Sequence, residues 1–150
     1  MATDNPVTEP PSPRRIGTLG EMEVLARELL PLLRKAGVVS LEGPLGAGKT
    51  HFVKAVARVV GLTEEVTSPT FTLLQSYGSG DARIHHSDWY RLESEGEVLA
   101  LALEDYYSEG IFFIEWGDKF PDLLPSGTLR IRIAPASDDS REISWHHASA

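Results

Sequence analysis

Residues 43–50 read Gly-Pro-Leu-Gly-Ala-Gly-Lys-Thr and match the Walker A pattern at every fixed position. The glycines in this segment allow backbone conformations that a side chain would forbid, so successive N–H groups can point inward around an anion. The ammonium group of Lys49 can reach the β- and γ-phosphates, and the hydroxyl of Thr50 is a hard oxygen ligand suited to Mg²⁺. The pattern predicts a loop that binds nucleotide phosphates; the alternative is a chance glycine-rich turn.

Two carboxylates could complete such a site, because a phosphate-binding loop needs acidic groups that hold Mg²⁺ through water and orient an attacking water. Glu115 ends the apolar run Ile-Phe-Phe-Ile at residues 111–114, which is the layout of a Walker B element with Glu in place of Asp. Asp88 ends a second strand pattern at residues 84–87. Either carboxylate could instead be an ordinary solvated acid at the end of a strand.

The first element that must support this site is a helix. Thr18 and Glu21 have the spacing of a capping box, and apolar residues then recur at helical spacing to about Lys35. We expect Pro31 to kink or split the last turn of this helix and Gly37 to end it.

The elements on either side of the loop are in the order that a phosphate-binding loop requires. Residues 38–41 form a short apolar run of strand length, and residues 50–60 carry an apolar helical face that Gly61 ends. A strand before the loop and a helix after it make the chance turn a poor explanation, because the helix dipole then faces the same anion as the loop.

The rest of the chain predicts further strands. A hairpin is predicted with strands at residues 71–77 and 82–87, a helix from Ser94 through Leu103, and strands at 111–114, 129–133 and 141–145. The sum is an α/β fold: a P-loop NTPase-like three-layer domain whose mixed sheet is parallel around the loop and antiparallel elsewhere.

Composition limits the function classes. The chain has 150 residues, one domain's worth, with a formal net charge of −8 and no cysteines. The charge disfavours strong direct binding to nucleic acid, and the absence of cysteine excludes disulfide scaffolds and thiol nucleophiles. We expect residues 1–15, rich in Pro and polar residues, to be a disordered lead-in and residues 16–150 to be the domain. With no signal peptide or membrane span evident, a cytoplasmic location is expected.

Three other kinds of site remain as alternatives. His85, His86 and Asp88 could form a metal cluster, but no further ligand at suitable spacing appears, so we interpret the histidines as strand residues. A small-molecule P-loop kinase would need an acceptor pocket and usually an Arg-bearing lid, and no Arg-rich lid segment is evident. A GTPase would use an Asn/Thr-Lys-x-Asp segment, which is absent around the lysines Lys35, Lys49, Lys54 and Lys119.

Four segments, taken in order, resemble one family. Residues 41–50 carry Leu-Gly-Ala-Gly-Lys-Thr, residues 66–73 carry Ser-Pro-Thr-Phe, residues 86–92 read His-Ser-Asp-Trp-Tyr-Arg-Leu, and residues 114–116 read Ile-Glu-Trp. They resemble the corresponding blocks of the TsaE (also called YjeE) family, the small ATPases of bacterial tRNA threonylcarbamoyladenosine biosynthesis. Walker A alone is generic, whereas the other three blocks in this order are specific. The resemblance spans about residues 18–143 and leaves out the lead-in.

The resemblance implies an ATPase that uses ATP and Mg²⁺, is weak alone, and acts with the proteins TsaB and TsaD to support multiple turnover of tRNA modification. It implies that tRNA is held through the complex. Lys49, Asp88 and Glu115 would form the catalytic set, with Thr50, Glu115 and Asp88 at the metal. A loop at residues 68–71 would sense the state of the nucleotide. The residues expected to contact the nucleotide are Gly43, Pro44, Leu45, Gly46, Ala47, Gly48, Lys49, Thr50, Thr70, Trp116 and Arg141.

Overall fold

The computed structural model describes residues 12–44, 46–69, 72–136 and 138–147. These residues form seven strands and three α-helices. The strands are β1 (Arg14–Ile16), β2 (Val38–Glu42), β3 (Leu74–Tyr77), β4 (Ile84–Asp88), β5 (Ile111–Glu115), β6 (Leu129–Pro135) and β7 (Arg141–His147). The helices are α1 (Leu19–Ala36), α2 (Lys49–Val59) and α3 (Glu95–Ala100).

All seven strands join one sheet in the order β1-β7-β6-β2-β5-β4-β3. The central strands β6, β2, β5 and β4 are parallel to one another, whereas β3 pairs with β4, β7 with β6, and β1 with β7 in antiparallel fashion. The predicted mixed sheet, parallel around the loop and antiparallel elsewhere, is therefore confirmed, and so is the predicted hairpin of β3 and β4.

Each face of the sheet has its own apolar core, because successive residues of a strand point to opposite faces. On one face Val39 and Leu41 of β2 pack with buried residues of α1 and α2, among them Leu25 and Phe52. On the other face Val38, Phe112, Ile114 and Trp89 pack with Val98 of α3 and the turns around it. Helices therefore cover both faces of the sheet, which confirms the three-layer α/β arrangement.

The capping residues predicted for α1 are in place. The Oγ1 of Thr18 accepts a hydrogen bond from the N–H of Glu21 at 3.1 Å, and the Glu21 carboxylate accepts one from the N–H of Gly17 at 3.1 Å. The helix ends at Gly37, whose φ of 77° lies in the left-handed region. Of the predicted kink or split at Pro31, the split is wrong, because α1 runs through Pro31 to Ala36; the kink stays a prediction. Pro31 lies on the exposed face, where water can satisfy the carbonyl that loses its N–H partner.

Two boundaries differ from the prediction. Arg14 and Arg15, placed in the lead-in, belong to β1, which pairs Arg14 with Ile143 and Arg15 with Glu142 of β7; residues 1–11 of the lead-in lie outside the described residues. The helix predicted through Leu103 ends at Ala100 instead, since Ala102 adopts a φ of 52° and cannot continue it.

The strand predicted from residue 71 begins at Leu74, and Phe71 lies outside the described residues. Among the described residues, no helix combines the length and the apolar character that are needed to cross a membrane.

Candidate nucleotide-binding site

The site lies where three neighbouring parallel strands end. Strand β2 lies between β6 and β5, and β5 lies between β2 and β4. In the register of the sheet Leu41 is paired with Glu115, and Glu115 is paired with Asp88. The carboxyl ends of parallel strands meet at one edge of a sheet, where open α/β sheets bind ligands. The loop after β2 and both predicted carboxylates therefore share this edge.

The loop needs glycine at two positions for steric reasons. Gly43 has a φ of 146°, and a Cβ there would collide with the carbonyl oxygen of Ile133. Gly48 has a φ of 107°, and a Cβ there would lie 2.6 Å from Nε of Arg141. Gly48 is also the N-cap of α2, so this helix begins at the loop and its N-terminal end lies at the same edge of the sheet. The unpaired N–H groups of a first helical turn favour an anion at that end.

Lys49 is the first residue of α2 and is only 5% exposed. Its Nζ donates a hydrogen bond to the carbonyl of Gly43 at 2.7 Å and lies 3.6 Å from the centroid of the Trp116 ring. Burial lowers the pKa of Lys49, and the charges of Glu115, Asp88 and others nearby oppose this effect. The ammonium group is therefore held beside the loop by a carbonyl and an aromatic face, both of which a phosphate could replace.

Glu115 accepts two hydrogen bonds on one oxygen. Its Oε2 lies 2.9 Å from Oγ1 of Thr50 and 2.6 Å from Nε2 of His86. Burial raises the pKa of this carboxyl, but the hydrogen bond and charge of His86, the hydrogen bond from Thr50 and the charge of Lys49 outweigh it, and the net pKa is lowered. The side chain is therefore held as a carboxylate although the residue is only 5% exposed.

Asp88 ends β4 beside Glu115 and is 4% exposed. Its Oδ1 accepts a hydrogen bond from the N–H of Tyr90 at 2.8 Å, which fixes the carboxylate at the strand end. A cavity of about 340 Å³ opens over these groups. It is lined by Gly46, Gly48, Lys49, Thr50, His51, Ser68, Asp88, Tyr90, Glu115 and Trp116.

These donors fit Mg²⁺ shared with a phosphate. A hydroxyl (Thr50) and two carboxylates (Asp88 and Glu115) are hard oxygen ligands, and Mg²⁺ commonly takes one or two carboxylates together with phosphate oxygens and water. Across the described residues no group of three or more His, Cys, Asp or Glu side chains could hold a metal by itself. His85 contacts the Tyr106 and Phe112 rings instead. Both histidines lie in strand β4, as predicted.

The other residues predicted at the nucleotide lie around the same loop. Trp116 packs against Tyr90 with ring centroids 5.0 Å apart, and Pro44 is exposed at the loop. Arg141, at the start of β7, donates a hydrogen bond from Nε to the carbonyl of Ala47. Two predicted contacts, Leu45 and Thr70, lie outside the described residues.

A second, smaller cavity of about 150 Å³ lies next to the loop. Arg141 and His51 line it together with the segment that leads into α1, and His51 also lines the larger cavity. The complete lining is Ile16, Gly17, Thr18, Leu19, Met22, His51 and Arg141.

Two contacts in the candidate site were not predicted from the sequence. His86 was interpreted only as a strand residue, yet its ring contacts the predicted metal carboxylate. The signal that could have found it is the period of two, since His86 and Asp88 are alternate residues of β4 and share a face. Tyr90 belongs to the segment 86–92 that resembles the family, but its packing on Trp116 could not be predicted because it depends on the turns that follow β4 and β5.

Comparisons with known proteins agree on one family. The family model described as "Threonylcarbamoyl adenosine biosynthesis protein TsaE" matches residues 16–143. A tRNA threonylcarbamoyladenosine biosynthesis protein TsaE of Bacillus subtilis (strain 168) is 39% identical over 125 residues, which cover 83% of this chain and 78% of the relative. The TsaE protein of Treponema pallidum (strain Nichols) is 44% identical over 114 residues, which cover 75% of this chain and 84% of the relative.

A solved structure is similar over most of the chain. The crystal structure of YdiB from Bacillus subtilis superposes with a TM-score of 0.69 at 31% sequence identity. The match covers 92% of this chain and 85% of that one. Fold, sequence and family model therefore point to the same relatives.

Proposed function

The chain belongs to the TsaE family, and from that premise we propose that it is an Mg²⁺-dependent ATPase of tRNA N6-threonylcarbamoyladenosine modification. The observation that carries the ATPase part is the hydrogen bond of 2.9 Å between Thr50 of the loop and Glu115 at the end of β5. A Walker A hydroxyl and a strand-end carboxylate in contact are the two protein ligands that a P-loop site offers to a metal.

In this proposal different side chains of the protein contact the phosphates, the metal and the attacking water. Lys49 leaves the Gly43 carbonyl and the Trp116 ring and pairs with the β- and γ-phosphates, where its charge offsets the negative charge of the transition state. Thr50 and Glu115 would hold Mg²⁺, which would offset the negative charge of the phosphates. Asp88, next to Glu115, supports the metal or accepts a proton from the attacking water.

The base and sugar of ATP would lie in the smaller cavity beside the loop. This cavity combines apolar walls, Ile16, Leu19 and Met22, with the polar side chains of His51 and Arg141. Mixed apolar and polar linings of this kind suit a nucleoside. The guanidinium of Arg141, bonded to the loop carbonyl of Ala47, would lie between the phosphate and nucleoside ends.

TsaB and TsaD are the proposed partners, and tRNA is proposed to be reached through them. The formal net charge of −8 supports indirect contact, because a strongly acidic chain gains little from a phosphate backbone. The absence of cysteine fits the reducing environment of the cytoplasm, where this modification would take place.

Reconstitution tests the proposal. Purified chain is mixed with TsaB, TsaD, tRNA and threonylcarbamoyl-adenylate, and modified tRNA and inorganic phosphate are followed over several turnovers. We expect multiple turnover to need the chain and ATP, and ATP hydrolysis to rise when TsaB and TsaD are added. The Lys49→Ala variant is the matched control and should not support turnover.

Two outcomes would overturn the proposal. Equal multiple-turnover modification without the chain would remove it from this reaction. Transfer of the γ-phosphate to a small molecule, in place of phosphate release, would favour the small-molecule kinase.

A further inference from the structure

His86 is a completely buried histidine whose ring reaches the site from β4. Its exposed fraction is 0%, and its cross-strand neighbours are Gln75 of β3 and Phe113 of β5. Its Nε2 lies 2.6 Å from Oε2 of Glu115. Since an ionised carboxylate can only accept, Nε2 carries the proton and donates.

The other ring nitrogen of His86 does not hold the ring in this position. Within the described residues, Nδ1 of His86 is buried without a hydrogen-bond partner. A buried polar ring costs free energy unless it is hydrogen-bonded, so the bond to Glu115 is the interaction that favours this ring position. The same bond restricts the carboxylate, because Oε2 must face both His86 and Thr50.

Building on the proposed ATPase function, we propose that His86 is a positioning residue that orients the Glu115 carboxylate for the Mg²⁺–nucleotide complex. Both hydrogen bonds end on Oε2, and together they fix the rotation of the carboxylate about its last bond. Thr50 cannot do this alone, because its hydroxyl is itself a proposed ligand and changes its partner when the metal binds. His86 approaches from within the protein and keeps its bond throughout.

Partners of this kind act on affinity more than on fold. Groups that orient a metal ligand typically change metal affinity or activity by about 10- to 100-fold when they are removed. Loss of the His86 bond should therefore raise the Mg²⁺ concentration that is needed for tight ATP binding by a factor in that range. Binding of ATP in EDTA, which depends on the loop and Lys49, should change little.

Three substitutions separate hydrogen bonding from packing. His86→Gln can place an amide N–H near the position of Nε2 and should retain most of the Mg²⁺ effect. His86→Asn is polar but its amide ends near the position of Nδ1, too far from Glu115 to bond, and it should lose the effect. His86→Leu removes the hydrogen-bond donor altogether and should lose the Mg²⁺ effect as His86→Asn does.

His85 provides the matched control on the same strand. It is 1% exposed, but its Nδ1 pairs with Oγ of Ser76 at 2.7 Å and its Nε2 lies 3.3 Å from Glu109, away from the loop. His85→Gln should leave the Mg²⁺ dependence of ATP binding unchanged. Both histidine positions are compared for thermal unfolding in EDTA, which reports structural damage alone.

The measurement is ATP affinity by calorimetry in EDTA and across an Mg²⁺ titration, without partners and without turnover. The inference is supported if Asn and Leu at position 86 shift the Mg²⁺ requirement by about 10-fold or more while Gln does not. It is overturned if all three variants bind like the parent, if Gln is as defective as Leu, or if the loss is equal in EDTA. If the parent itself shows no Mg²⁺-dependent ATP binding, the proposed function fails instead.

Discussion

Thr50 and Glu115 lie 65 residues apart in the sequence, and their side chains meet at 2.9 Å. The contact joins the first turn of α2 to the end of β5. It exists because β2 and β5 are parallel neighbours, so that the loop leaving one strand passes over the last residue of the other. The contact therefore places the two side chains that are proposed as metal ligands next to each other.

Lys49→Ala should abolish ATP hydrolysis. The variant removes the cation that faces the loop and the Trp116 ring, and we expect a rate at least about 100-fold lower, the usual size of a lost transition-state contact. Phosphate release with saturating ATP measures it. The matched control is Lys54→Ala, an exposed lysine of the same helix, which should hydrolyse ATP at the parent rate. Retained hydrolysis in Lys49→Ala would argue against the site.

Glu115→Gln separates the charge of this residue from its shape. The amide oxygen can still accept from Thr50 or His86, but the charge that would face Mg²⁺ is gone, so ATP turnover should fall by about 10- to 100-fold with little loss of stability. Glu115→Ala should also lower the free energy of unfolding by about 1–3 kcal/mol, because it leaves the buried His86 unpaired. Urea unfolding and phosphate release on both variants test this. Equal free energies of unfolding for the two variants would contradict the expected cost of leaving His86 unpaired.

The structure shows which parts of the candidate site could be predicted from the sequence. The strand, loop and helix around residues 38–60 are local patterns, and the structure has them within a residue or two. The position of Glu115 at the end of a buried strand could be predicted because a fully apolar run precedes it. His86 was missed because its partner is 29 residues away on a neighbouring strand, and only the sheet register brings the two together.

The same reasoning explains the missed first strand. β1 has three residues, too few for a visible alternation, and it exists through its pairing with β7 at the opposite end of the chain. The ion pair of Arg14 with Glu28 of α1, at 2.6 Å, also depends on contacts that the sequence does not display. Long-range pairing, rather than local propensity, determines these residues.

His85 should make stability depend on pH. Burial lowers the pKa of this imidazole, and the nearby Glu109 only partly opposes it, so the folded protein binds the proton less well than the unfolded chain. The contribution of His85 to the free energy of unfolding is therefore complete above its ordinary pKa of 6.5. This contribution is lost as the pH falls from 6.5 through the lowered pKa of the folded protein. Urea unfolding between pH 5 and 8, on the parent and His85→Gln, measures the difference. A parallel pH dependence in both proteins would contradict it.

Arg141→Ala should weaken ATP binding with or without Mg²⁺. The guanidinium donates to the Ala47 carbonyl and covers Gly48, so its loss loosens the loop itself. A hydrogen bond from a charged group is worth about 1.5–3 kcal/mol, which predicts about 10- to 100-fold weaker binding. Arg132→Ala, an exposed arginine of the adjacent strand β6, is the matched control. A loss seen only in the presence of Mg²⁺ would show that Arg141 acts on the metal and not on the loop.

Gly43→Ala and Gly46→Ala form a matched pair on the loop. Both positions have positive φ, 146° and 78°, so either alanine is strained by its backbone conformation, at a cost of about 1–2 kcal/mol in the left-handed region. The two positions differ in the room that is available for an added Cβ. A Cβ at Gly43 would collide with the carbonyl of Ile133, whereas one at Gly46 meets nothing within 4 Å. Gly43→Ala must therefore move the loop away from β6, and we expect it to lose ATP binding, while Gly46→Ala should keep binding with a modest loss of stability. Calorimetric titration with ATP and urea unfolding on both variants separate the two effects. If the two alanines weaken ATP binding equally, backbone strain alone accounts for the loss, and the close approach of Gly43 to β6 has no part in shaping the loop.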